Sequence, residues 1–195
     1  MILDQLKNHN LILASGSPRR QQFFKDLGLD FEIRLKPVDE IYPDGLTHFE
    51  ISDYLAQLKS LPFKDELKDN DILVTSDTIV WHNNEALGKP KNYNDAFNML
   101  LAMSNGTHEV ITSICFTTKT SQKTVNAITK VTFKLLSEEE INYYIKNFKP
   151  FDKAGAYGIQ EWIGQIGIIS IDGSYTNVVG LPTHLLYKTL NSMVL

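Results

Sequence analysis

The 195-residue chain carries one cysteine, Cys115. A lone thiol excludes an intramolecular disulfide and any zinc site built from several cysteines, and it suits a reducing, cytoplasmic setting. Long apolar runs are missing as well. The longest reach about ten residues with polar interruptions, against about 20 needed to cross a bilayer. Met1 to Asn10 has no basic stretch followed by an apolar one, so no secretory leader is expected. Nor is there a surplus of positive charge: 19 Lys and Arg against 23 Asp and Glu leave a net charge of −4, which argues against broad adhesion to nucleic acid or to a membrane. The sequence has no Gly-x-x-x-x-Gly-Lys-Ser/Thr loop and no Gly-x-Gly-x-x-Gly turn, which removes the P-loop and the usual dinucleotide fold. Its five histidines (His9, His48, His82, His108, His184) are scattered with no i,i+4 pair, which argues against a histidine metal site. Ser15-Gly-Ser17 lacks the supporting acid and histidine of a hydrolase serine turn. No repeat, low-complexity tract or long linker interrupts the chain, and 43% hydrophobic content is enough for one sizeable core. A single domain over 1–195 is the simplest organisation.

What is present begins at Leu11-Ile-Leu-Ala-Ser-Gly-Ser-Pro-Arg-Arg20. The apolar run reads as a buried strand, Ser17 as an N-cap and Pro18 as the first helical residue. Phe23, Phe24 and Leu27 recur at helical spacing, and Gly28 supplies a left-handed end. Arg19 and Arg20 then sit in the first turn, where the helix dipole disfavours a cation by roughly 0.3–1 kcal/mol each. A bound polyanion reverses that sign, because backbone N–H groups, the hydroxyls of Ser15 and Ser17 and two guanidinium forks converge on phosphate oxygens. The alternative is a capped helix with two solvated arginines.

A second segment, Ile72 to Trp81, is a run of strand formers with Asp77 in its middle. Aspartate is depleted in strands and expensive to bury unpaired, so something compensates it. The options are a neighbouring lysine, a surface bulge, a divalent cation, or a water that Asp77 deprotonates. Asn83-Asn84 forms a turn, and Gly88-Lys89-Pro90 delivers Lys89 on a rigid loop as a candidate phosphate ligand. A third segment, Phe151 to Gln160, places Gly155 and Gly158 where backbone can approach a ligand and ends in the amide of Gln160.

The remaining elements alternate as in α/β folds. Thr47 and Glu50 form a capping box for a helix reaching Leu58, with Lys59 in its final turn, a favourable place for a cation. A helix is expected over about Asn94 to Ser104. Strands His108–Thr118 and Thr124–Lys134 form a hairpin, so the sheet is mixed. Ser137 and Glu140 cap a helix limited by Pro150. Gly164–Ile171 and Tyr175–Val179 around Asp172-Gly173 read as a second hairpin, and Pro182 opens the last helix.

Together the segments resemble the Maf family of nucleoside triphosphate pyrophosphatases over nearly the whole chain: Ala14 to Arg20, Val38-Asp-Glu40, Ala56 with Lys59, Ser76-Asp-Thr78, Leu87-Gly-Lys-Pro90, His108-Glu-Val110, Asp152 to Gln160, and Tyr175 to Pro182. Gly-Ala-Tyr-Gly-Ile-Gln resembles the dTTP/UTP branch rather than the 7-methyl-GTP branch. Asn92 stands where the family usually has aspartate, Asn105-Gly106 replaces Gly-Arg, and Ser113 replaces glycine.

The resemblance implies a mixed twisted sheet flanked by helices, with two lobes around a nucleotide-binding cleft, the architecture of Maf-like and ITPase-like proteins. It implies Asp77 as catalytic base and Ser15, Arg19, Arg20, Lys59, Lys89, Thr78 and Gln160 as substrate ligands. Asp77 and Glu40 would hold Mg²⁺ or Mn²⁺, although Asp39 and Glu40 read equally as a solvated acidic pair. A homodimer is compatible with it. The same resemblance covers proteins described as septum-formation inhibitors, so action through a cell-division partner is a second reading. Gln160 also has a physical argument: uracil and thymine present a carbonyl beside an N–H, and one amide matches both. Thr78 faces away from Asp77 in a regular strand and reaches the same ligand only if the strand bends or ends there.

Overall fold

The computed structural model describes residues 2–194. After a short N-terminal helix, α1 (Ile2–Gln5), the chain runs β1 (Asn10–Leu13), α2 (Pro18–Asp26), β2 (Glu32–Ile33), α3 (Phe49–Leu58), β3 (Asp71–His82) and β4 (Glu85–Leu87). It continues through α4 (Tyr93–Met103), β5 (Thr107–Thr117), β6 (Gln122–Phe133) and α5 (Glu138–Phe148). The C-terminal part holds α6 (Trp162–Gly167), β7 (Ile168–Asp172), α7 (Tyr175–Val179) and α8 (Thr183–Met193). The strands form one mixed sheet in the order β2-β1-β3-β5-β6-β7, with β4 also on β3. β1 is parallel to β2 and β3, while β3, β5, β6 and β7 run antiparallel.

The period-two pattern of β3 sorts the core. Leu73 and Ile79 lie on the face covered by α3, where Ile79 packs with Ile51, Leu55 and Ile111. Ile72 and Val74 point the other way, into a cluster with Phe24, Leu186 and Leu190. Val80, further along that face, joins a separate cluster built on Leu100, Phe133, Tyr144 and Ile163. Between these two cores the same face carries Ser76 and Thr78. Two apolar lobes with a polar seam between them is the expected cleft architecture.

Local chemistry explains most boundaries. Asn83 and Asn84 both take positive φ, 51° and 63°, giving the two-residue turn that joins β3 to β4. Ser137 and Glu140 make both bonds of a capping box. Asn92 caps α4 by accepting from the amide of Asp95 at 3.0 Å, so the asparagine serves as the N-cap. Asn105 takes the left-handed conformation after α4, with φ 55°. Cys115 is fully buried and fills core space.

Three expectations are corrected. The second hairpin is absent: Trp162–Gly167 and Tyr175–Val179 are helices, and only Ile168–Asp172 is a strand, pairing with β6. After Gly173 (φ 131°), the Ser174 hydroxyl accepts from the Asn177 amide and starts a helix where the Asp172-Gly173 pair suggested a hairpin turn into a strand. Thr47 does not cap α3, whose N-cap is His48; Glu50 instead reaches back to the Thr47 amide at 3.0 Å. Ser17 occupies the N-cap position of α2, but its hydroxyl makes no capping bond.

Candidate active site

The cleft opens at a gap in the sheet edge. β1 pairs with β3 only from Asp71 to Val74, and β4 pairs with it only from Val80 onward. Among the described residues the β3 edge has no strand partner on that side between these limits, and Ser76–Ile79 line one space from both faces of the strand. Asp77 and Thr78 both line it. β3 neither bends nor ends at Thr78, which stays paired with Thr112 of β5; Thr78 borders the cavity because the opposite edge of the strand is open there. The cavity measures about 700 Å³ and also receives the loop after β1, residues 35–42, the Gly88-Lys89 loop, residues 152–160 and residues 178–180. That volume suits a nucleotide-sized ligand.

Charge identifies the kind of ligand. Six cationic side chains (Arg19, Arg20, Lys36, Lys59, Lys89, Lys153) and three carboxylates (Glu40, Asp77, Asp152) line the cavity. A local excess of three positive charges inside a chain of net charge −4 selects a polyanion. Asp77 is 6% exposed, and its Oδ1 accepts from Lys59 Nζ at 2.6 Å. Lys59 also lies 3.1 Å from Glu40 Oε1, and Lys89 Nζ is 3.8 Å from Glu40 Oε2. Burial pushes the Glu40 carboxyl up, but attraction to Lys59, Lys89 and Arg20 outweighs it, so its pKa lies below the ordinary value. Glu40 is thus ion-paired with Lys59 while its side chain stays 42% exposed. In this state the compensation anticipated for Asp77 comes from a lysine.

The two arginines diverge. Arg20 turns into the protein: Nε donates to Gly180 O at 2.8 Å, Nη1 to Ser76 O at 2.8 Å and Nη2 to Thr78 Oγ1 at 3.0 Å. It caps the free edge of β3. Burial lowers its pKa while Asp77 opposes that shift. Two of its five N–H bonds stay outside these contacts. Arg19 instead reaches across the cleft to Asp152 Oδ2 at 3.4 Å. Ser15 is buried, and its Oγ accepts from the Ser17 amide at 3.3 Å, which leaves its own O–H to donate. Gln160 is exposed at the cavity wall.

The family model for Maf-like proteins matches residues 10–193. The chain belongs to the Maf family. A Flavobacterium johnsoniae relative named dTTP/UTP pyrophosphatase is 63% identical over 194 residues, covering 100% of both chains. Relatives of the same name from Christiangramia forsetii, at 57% over 100% of this chain and 99% of theirs, and Bacteroides fragilis, at 45% over 98% and 100%, extend the likeness.

Within this Maf protein every anticipated site residue borders the cavity: Ser15, Arg19, Arg20, Glu40, Lys59, Asp77, Thr78, Lys89 and Gln160. Sequence reasoning passed over Asp152, Lys153 and Gly180. Lys153 is only 8% exposed, held by Asp152 Oδ1 at 2.8 Å and Glu161 Oε1 at 3.1 Å. Its signal was present, a lysine inside the Asp152–Gln160 motif, but burial of a lysine is invisible in a pattern of polar residues. His108 is structural: 1% exposed and bonded through Nε2 to the Tyr157 hydroxyl at 2.8 Å. Burial, with a smaller contribution from His82, drives its pKa down to about 3, so it is neutral at ordinary pH. Ser113 hydrogen-bonds Ser52 at 2.7 Å and Asp53 at 2.6 Å, giving its buried hydroxyl two partners. Among the described residues no group of three or more His, Cys, Asp or Glu side chains is placed to hold a metal ion, and no helix is long and apolar enough to cross a membrane.

Arg19→Ala is expected to lower kcat/KM at least about tenfold, the effect of losing one charge-assisted hydrogen bond. Its ion pair is long and partly exposed, so the melting temperature should stay within a few degrees (~2 °C). Wild-type kinetics in a folded variant would mark Arg19 as a surface cation.

Proposed function

We propose that this chain is a nucleoside triphosphate pyrophosphatase that hydrolyses UTP and dTTP between the α- and β-phosphates, releasing the monophosphate and pyrophosphate. The observation that carries the reading is Asp77, a buried carboxylate lining a six-cation cavity and paired with one of those cations, in a Maf-family chain whose full-length relatives are named dTTP/UTP pyrophosphatase. In-line displacement at phosphorus needs neutralised phosphate charge and an oriented water. Lys59, Lys89 and Arg19 meet the triphosphate, Ser15 donates to a phosphate oxygen, and the α2 N-terminus adds its backbone N–H groups. Incoming phosphates draw Lys59 off Asp77, which frees that carboxylate to orient or deprotonate the water.

The donor set also fits a divalent cation. Asp77 and Glu40 are hard oxygen ligands that already share one cation, the Lys59 ammonium. Two carboxylates with substrate phosphates and waters make a usual Mg²⁺ environment, and Mn²⁺ accepts the same donors. Such an ion would supply charge neutralisation and polarisation of the phosphoryl group when bound. Chelator is expected to remove activity, and added Mg²⁺ or Mn²⁺ to restore it; full turnover in excess chelator would defeat the metal assignment.

Base choice falls to the Gln160 and Thr78–Arg20 side of the cavity. A nucleotide panel tests it: kcat/KM for UTP and dTTP should exceed that for CTP, GTP and 7-methyl-GTP. A preference for 7-methyl-GTP, or none, would overturn the assignment. Gln160→Ala should lower UTP and dTTP turnover more than CTP turnover, because one amide then no longer matches the imide edge. An unchanged UTP to CTP ratio would take Gln160 out of base reading.

A further inference from the structure

Behind the cavity wall lies a chain of polar contacts that the reaction itself does not use. The Tyr144 hydroxyl, at the buried face of α5, accepts from the Gly158 amide at 3.0 Å and donates to Glu161 Oε2. The other Glu161 oxygen faces the Lys153 ammonium at 3.1 Å. Lys153 holds Asp152 at 2.8 Å, and Asp152 is the residue that meets Arg19 across the cleft. Glu161 lies so close to Gly158 that a Cβ there would come 2.9 Å from its carboxyl carbon. Glycine at 158 is what lets the carboxylate fold over the loop.

The chain joins two functions that are far apart in sequence. At one end, Tyr144 and Glu161 grip both sides of Gly158-Ile159-Gln160. At the other, Asp152 orients an arginine at the phosphate side. Lys153 faces two carboxylates, and Arg19 on Asp152 supplies the second cation, so the four charges alternate in sign and cancel. Burial raises the Tyr144 pKa, with the Glu161 bond acting in the same direction, so the hydroxyl stays protonated and the bond persists. We propose that Tyr144 and Glu161 are positioning residues for substrate selection: they fix the loop that presents Gln160, and through Lys153 and Asp152 they set the place of Arg19. This rests on the pyrophosphatase reading for its kinetic consequence and on geometry alone for its structural one.

Tyr144→Phe in the full-length protein removes the hydroxyl and keeps the ring. Two readouts are needed. Hydrogen exchange in the segment 155–160 of the ligand-free protein should speed up by about fivefold or more, while exchange in β3 and β5 stays at the wild-type rate. With UTP and CTP, KM for UTP should rise about threefold or more and the UTP to CTP ratio should fall, with kcat within about twofold of wild type. Glu161→Gln should reproduce both changes. A merely structural role would lower the active fraction for both nucleotides equally and leave the ratio alone. Unchanged exchange in 155–160 overturns the proposal whatever the substrate is. Faster exchange with an unchanged ratio overturns the selection role. Faster exchange in a protein whose wild type releases no pyrophosphate supports the brace and sinks the pyrophosphatase reading instead.

Discussion

Asp77→Asn should reduce turnover of UTP by about 10² to 10⁴-fold, the range associated with loss of a positioned general base, and leave a folded protein. The side chain keeps its volume and its place on β3. What changes is the charge: the amide is no longer a proton acceptor of useful strength and is a poorer ligand for a hard cation. The stability cost is limited because Lys59, left without Asp77, retains Glu40 at 3.1 Å. A buried cation stripped of every partner would cost several times more, about 3–5 kcal/mol. Steady-state kinetics paired with a thermal melt check both parts. Activity within tenfold of wild type would remove Asp77 as the base. The same variant separates catalysis from partner binding: an arrest of division produced by overexpressed wild type and retained by Asp77→Asn would exclude hydrolysis as its cause.

Gly164→Ala is the expected large effect on stability. A Cβ on Gly164 would stand 1.9 Å from the Ile159 carbonyl oxygen and 2.6 Å from its carbon, both backbone atoms. No rotamer change relieves such a contact. Either α6 moves away from the loop or the loop moves into the cavity, and overpacking of this kind costs about 3 kcal/mol or more. For a chain of this size that is a fall in melting temperature of roughly 6–12 °C. Because Ile159 adjoins Gln160, any surviving folded fraction should also lose preference for UTP over CTP. Gly106→Ala is the control, since its nearest neighbour would lie at an ordinary 3.5 Å. Melting of Gly164→Ala at the wild-type temperature would show that loop and helix are not in contact.

Much of this site is legible in the sequence because it depends on local rules. The strand, turn and helix around Ser15 to Arg20 follow from apolar patterning and proline placement, and the conflict of Arg19 and Arg20 with the helix dipole marks the turn as unusual, although Arg20 meets protein oxygens there. A charged residue in the middle of β3 draws attention to Asp77 for a similar reason. Long-range geometry stays hidden. Nothing in residues 72–81 reveals that β1 ends at Leu13 and leaves the β3 edge open, which is why Asp77 and Thr78 reach one cavity from opposite faces. That Arg20 turns inward while Arg19 spans the cleft depends on Gly180 O and Asp152, contributed from more than 130 positions away. The failed second hairpin has one local and one long-range cause. Residues 164–179 carry an Asp-Gly pair that reads as a hairpin turn, yet the Ser174 cap on Asn177 and the burial of Asn177 against β5 and β6 favour a helix.

The central claim is that this cavity cleaves a nucleoside triphosphate between its α- and β-phosphates. The most direct measurement is ³¹P NMR of UTP incubated with the purified protein and Mg²⁺ or Mn²⁺, with Asp77→Asn as the matched control. The account predicts UMP and pyrophosphate appearing together in equal amounts, with no early orthophosphate and no signal change in the control. UDP and orthophosphate as the first products would contradict it.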